Sequence, residues 1–132
     1  MNIWNWNWWK KKKEEQIEYR SEVQEVENIT PVKPLYQIAD HLVVMRLGTS
    51  HHGIYSGTDQ VIYYNYYSGF VVENSLEEFS QGAPIKVIYS PVLFNSSLII
   101  SRGRSRVGER NLQGFSNRSE EFVRWVRGGD IW

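Results

Sequence analysis

The chain has 132 residues, 41% hydrophobic and 14% aromatic, which suits one folded domain with a real core and is too short for two. Lysine plus arginine and aspartate plus glutamate balance at 15 each, so no global field recruits nucleic acid. Cysteine is absent, which excludes disulfides, thiolate metal sites and cysteine catalysis together.

Residues 1–34 read as an extension separate from the rest. Trp4, Trp6, Trp8 and Trp9 precede Lys10, Lys11, Lys12 and Lys13, the reverse of a signal peptide's basic-then-apolar order. The mixed-charge stretch Glu14–Asn28 has helix-forming composition but only Ile17, Val23 and Val26 as an apolar stripe, which predicts a frayed helix. Pro31 and Pro34 punctuate the chain, and the domain proper is expected over 35–132. No apolar run approaches the roughly 18 residues that cross a bilayer. The expectation is therefore a soluble, cytoplasmic protein.

From Leu35 the pattern is strand-like. The segments His41–Leu47, His51–Ser56, Gln60–Tyr66 and Phe70–Glu73 are rich in β-branched and aromatic residues, with Gly48-Thr49-Ser50 and Gly57-Thr58-Asp59 as turns. Ser75-Leu76-Glu77-Glu78 is a capping-box sequence that opens a short helix ending at Gly82. Pro84–Tyr89 is a further strand. Asn95 or Ser96 caps a helix expected to run to Gly108, and Asn117-Arg118-Ser119-Glu120 opens a last helix that Gly128-Gly129 stops. The fold class is α+β: an antiparallel β-meander with helices placed mainly after it.

Two segments carry chemistry. The first is Ser50-His51-His52-Gly53-Ile54-Tyr55 with Val61-Ile62-Tyr63-Tyr64; the second is Asn117-Arg118-Ser119-Glu120-Glu121-Phe122-Val123. Together they resemble the lecithin:retinol acyltransferase (LRAT) family, a permuted papain-like group related to NlpC-type peptidases. The resemblance covers about Gln37 to Gly129. It implies a site in which a His opens the first strand, a second His follows on the next, and a Cys sits at the start of a helix. In this chain those positions hold His51, Tyr63 and Ser119. Two of the three depart from the family pattern.

Residue chemistry sets what such a site can do. In the first turn of a helix Ser119 meets unpaired amides and a dipole that favour an anion, yet a hydroxyl needs a strong general base. It is equally an ordinary first-turn serine. His51 is the candidate base, and the alternative is a hydrogen-bonded structural histidine. Its neighbour His52 points to the opposite face of a strand and reads as structural. Tyr63 would have to orient His51, but a phenol with a pKa of about 10 supplies no counter-charge. A metal site on His41, His51 and His52 lacks a suitably spaced acid. No metal or cofactor is expected.

Three functions follow as expectations. The first is an LRAT-like domain, catalytically impaired, that binds an acyl lipid or a partner in the former cleft. The second is an active acyl-ester transferase or phospholipase-type hydrolase using Ser119 with His51 as base. The third is a protein-interaction module using the basic C-terminal helices, where Arg102, Arg106 and Arg110 fall on one helical face. The Trp/Lys run adds a membrane reading. Tryptophan prefers the headgroup region, and each lysine contributes about 1 kcal/mol toward an anionic leaflet. The other reading of that run is a sticky, disordered tail or one that folds back onto the domain.

Overall fold

The computed structural model describes residues 7–14, 35–110 and 118–129. The chain divides into two units, Met1–Pro34 and Leu35–Trp132. In the first, residues 7–14 are helical (α1), so the helix falls on the Trp/Lys run; the stretch 15–34, with most of the predicted helix and both prolines, lies outside the described residues.

The second unit is α+β. Its strands are β1 (His41–Arg46), β2 (Thr49–Gly57), β3 (Gln60–Asn65), β4 (Phe70–Ser75) and β5 (Ile85–Ile88). They form one antiparallel sheet in the order β4-β3-β2-β1-β5. The first four make a meander because their connections are tight. Leu47 and Gly48 turn the first hairpin with φ of 50° and 77°, and Thr58 and Asp59 turn the second with φ of 51° and 56°. Both pairs have the left-handed conformations whose twist matches that of the flanking strands.

The helices follow the caps read from the sequence. Ser75 caps α2 (Leu76–Ser80) by accepting the Glu78 amide, and Asn95 caps α3 (Ser96–Ser105) by accepting that of Leu98. α3 stops at Ser105, short of the expected Gly108. Past Arg106 the chain tightens into turns, with Val107 N–H bonded to the Arg104 carbonyl and Glu109 N–H to that of Arg106. α4 (Arg118–Gly128) ends against Gly129, which has φ of 75°. Asn117, the expected cap of α4, lies outside the described residues.

Strand alternation gives the sheet two apolar faces. One carries Leu42, Val44, Tyr55, Val61 and Tyr63 against Phe79 of α2. The other carries Ile54, Ile62, Tyr64 and Val71 against Ile99 of α3 and Phe122, Val123 and Val126 of α4. Phe79 and Phe122 are fully buried, each contributing about 1.5–3 kcal/mol by leaving water. Gly103 lets α3 sit close to β3, since a Cβ there would stand 3.2 Å from Ile62 Cδ1.

Candidate functional site

The site lies where the β2–β3 ladder opens. Its paired residues run from Gly57↔Gln60 to Gly53↔Tyr63, leaving His51 and His52 beyond the last pair. The first turn of α4 enters this opening. Ser119, fully buried, accepts the His52 amide on its Oγ at 3.1 Å, and its own N–H donates to Tyr66 Oη at 3.5 Å. The Tyr66 ring stands edge-on to His51, with centroids 5.2 Å apart. Tyr66 thus touches both His51 and Ser119, which come from segments far apart in sequence.

Tyr63 is placed differently. It shares the α2 face of the sheet, stacks on Phe79 with centroids 4.9 Å apart, and has its hydroxyl 3.5 Å from Asn74 Nδ2. The ring is almost wholly buried. Burial raises its pKa above 10, only partly offset by the Asn74 contact, so the phenol is neutral at pH 7. His51 and Tyr63 lie on this face of neighbouring strands, while the Ser119 side chain approaches from α4 on the other.

The electrostatics around His51 favour its neutral form. Burial lowers its pKa below 6.5, and the nearby Arg46 and His52 act in the same direction. Arg46 closes β1, sits with its guanidinium 5.8 Å from the Tyr67 ring centre, and lies on the same sheet face as His51.

His52 anchors a second cluster beneath α4. Its Nδ1 is 2.7 Å from His41 Nε2, its Nε2 is 3.1 Å from Ser50 Oγ and 3.9 Å from Glu120 Oε2, and His41 Nδ1 is 2.9 Å from Ser90 Oγ. With a carboxylate near Nε2, the consistent arrangement is a relay. Ser90 donates to His41, His41 to His52, and His52 toward Ser50 and Glu120. Burial, then the fields of His52, Arg127 and Arg124, lower the pKa of His41 from 6.5 to about 3. Burial also lowers that of His52, although Glu120 opposes the shift. Among the described residues no three potential ligands gather into a metal site.

The arginines of α3 and its flank do not form one free face. Arg102 stacks on Phe94 and Trp125 at 4.4 and 4.1 Å and donates to the Trp125 and Val126 carbonyls. Arg106 also lies on Trp125, at 4.1 Å. Arg110 falls beyond the helix, over Phe70 and paired with it in an isolated bridge. The helix end at Ser105 is why a face drawn through all three does not exist. Arg127 is buried too, donating to the carbonyls of Ala39 and Ser90.

Sequence reasoning passed over Tyr66, Arg46 and the partners of His41 and His52. Strand alternation did signal that Ser50, His52 and Ile54 share a face, but the pairing of His41 with His52 needed the β1–β2 register, which sets His52 beside Val43.

A meander whose second strand carries a histidine at a ladder opening, filled by the first turn of a late helix, defines an α+β domain compatible with the permuted papain-like arrangement. Residues 34–131 match the family model of lecithin retinol acyltransferase, and the chain belongs to that family. No curated protein matches the chain.

Proposed function

We propose that this LRAT domain belongs to the acyltransferase and hydrolase class by descent, is impaired in its own turnover, and binds an acyl-bearing ligand beside His51, Tyr66 and Ser119. One observation carries the reading: the Ser119 Oγ is fully buried and already accepts the His52 amide. A nucleophile needs an exposed lone pair and a base to take its proton. Arg46 raises the cost of forming an imidazolium at His51, the opposite of what a triad carboxylate does. Tyr63 offers no counter-charge. In hydrolases that act through a triad, loss of one key member costs on the order of 10⁴- to 10⁶-fold in rate.

The test is incubation with p-nitrophenyl octanoate, followed by intact-mass measurement and release of p-nitrophenol. The expected result is no acyl adduct and no release above buffer, with saturable binding of octanol seen in amide NMR spectra. An adduct on Ser119, with turnover abolished by Ser119→Ala, would establish the active-enzyme reading instead. A spectrum unmoved by octanol would reject the acyl ligand.

A further inference from the structure

A half-buried guanidinium with two unpartnered nitrogens stands next to the candidate site. Arg46 Nε and Nη1 are shut off from solvent and have no hydrogen-bond partner among the described residues. A guanidinium stays protonated, so it cannot relieve its burial by shedding a proton as a lysine can. An unpaired buried charged donor is among the more destabilising features a fold can carry. Of the other arginines contacting the core, Arg102 donates to backbone carbonyls, Arg104 pairs with Glu73, and Arg127 donates from both terminal nitrogens to backbone carbonyls while its Nε has no partner. Arg46 alone of these lies beside His51.

The exposed side chains beside it are aliphatic and aromatic. The hairpin tip that follows is Leu47, 96% exposed and held at a φ of 50° that a leucine rarely adopts. Tyr67, whose ring faces the Arg46 guanidinium, flanks the same end of the sheet and is 71% exposed. The first and third hairpins of the meander both turn at this end, the end toward which the β2–β3 ladder opens. A half-buried cation at the base of an exposed aliphatic and aromatic rim fits a ligand with an oxyanion at one end and a hydrocarbon chain at the other.

We infer that Arg46 is the anion-binding residue of the site, taking the phosphate or carboxylate of an amphiphilic ligand whose chain lies along Leu47 and Tyr67. The inference rests on the acyl-ligand reading and adds the charge of the ligand to it. Pairing Arg46 with an oxyanion also offsets the positive field that, after burial, keeps His51 neutral, so an occupied site has a more basic His51 than an empty one.

Three probes separate the parts: octyl phosphate (chain and anion), octanol (chain alone) and inorganic phosphate (anion alone), titrated by amide NMR against the full chain and its Arg46→Met and Arg46→Lys variants. Octyl phosphate is expected to bind the native protein about 10- to 100-fold more tightly than octanol, as a charge-assisted pair would give. In Arg46→Met that preference disappears while octanol affinity is kept, and the melting temperature holds or rises because an unpaired charge has gone. Arg46→Lys retains part of the preference. The His51 ring titration moves to higher pH with octyl phosphate in the native protein and stays put in Arg46→Met. Octanol binding with no preference for octyl phosphate would overturn the role of Arg46 and leave the acyl reading standing. If neither amphiphile binds, both fall. Tight binding of inorganic phosphate alone would replace the amphiphile with a free anion and overturn the inference. A fall in melting temperature with the preference intact would make Arg46 structural and overturn it as well.

Discussion

Acid should unfold this domain through His41, and the size of the effect follows from its surroundings. His41 is 1% exposed, bonded on one side to His52 and on the other to Ser90. Its pKa is lowered from 6.5 to about 3, mainly by burial. Between those values the unfolded chain binds a proton that the folded chain refuses. The stabilisation is therefore complete above pH 6.5 and is lost as the pH falls toward 3. At about 1.36 kcal/mol per unit, His41 alone costs roughly 2 kcal/mol by pH 5 and roughly 3 by pH 4. For a domain of this size that corresponds to a melting temperature lower by about 8–16 °C at pH 5.

The assay is urea unfolding at pH 7, 6 and 5, on the native chain and on His41→Gln. The glutamine keeps a polar group toward Ser90 and does not titrate. Carboxylates and exposed groups contribute alike to both proteins, so the difference in slope isolates the imidazole. The native chain should lose about 2 kcal/mol more than the variant between pH 7 and pH 5. Parallel profiles would refute the argument, and so would a native chain that gains stability in acid.

Four further outcomes are expected. Ser119→Ala leaves the His52 amide without its acceptor and should lower stability at pH 7 by about 1–3 kcal/mol in urea unfolding; a neutral result would mean the hydroxyl has no structural role. The pair Ser119→Cys and Tyr63→His should recover hydrolysis of p-nitrophenyl octanoate, at some loss of stability because Tyr63 stacks on Phe79; a folded but inert double variant would show that the cleft has been remodelled. Gly53→Ala sets a Cβ 2.5 Å from Val61 Cγ1 and 3.1 Å from Phe79 Cε2, and should lower the unfolding midpoint by the equivalent of about 1–3 kcal/mol. A chain starting at Leu35 should keep its melting temperature and lose adsorption to anionic vesicles, an adsorption that weakens with salt because lysine-to-lipid attraction is screened over about 10 Å at 0.1 M; a large drop in melting temperature would mean that residues 1–34 are structural.

The meander was legible because local chemistry and global fold agree there. Gly57-Thr58-Asp59 is a turn by composition and a turn in the structure, and Ser75 caps the helix its capping box announces. The C-terminal half was less legible. α3 carries Gly103 in its interior and arginines on several sides, so nothing local marks where it ends; what fixes Arg102 and Arg106 is Trp125, 23 and 19 positions away. For the site, the motif named His51 and Ser119, and the fold brings both to Tyr66. Tyr66 itself had no signal, being one of several tyrosines on β3 and its following turn. Arg46 had none either, because an arginine at a hairpin end is usually a solvated one. That two of its nitrogens lack partners is a property of the packed structure.

Ser119 also has a reason to be there that owes nothing to nucleophilic chemistry. The opening between β2 and β3 frees a buried amide at His52, and any residue at position 119 faces that donor. A thiol is a weak hydrogen-bond acceptor, whereas a hydroxyl has two lone pairs for an N–H and a rotatable proton for another partner. A catalytic thiolate would solve the same problem with its charge, stabilised by the first turn of α4, but only while a neighbouring base holds the proton. Here that base is opposed by burial and by Arg46, and the residue on the next strand is a neutral tyrosine turned toward Asn74. With the ion pair disfavoured, serine is the better occupant of the opening: it satisfies the His52 amide without requiring a charge. On the proposed reading Tyr63 and Ser119 answer one physical condition, since a site whose burial and Arg46 disfavour an imidazolium gains little from a thiol.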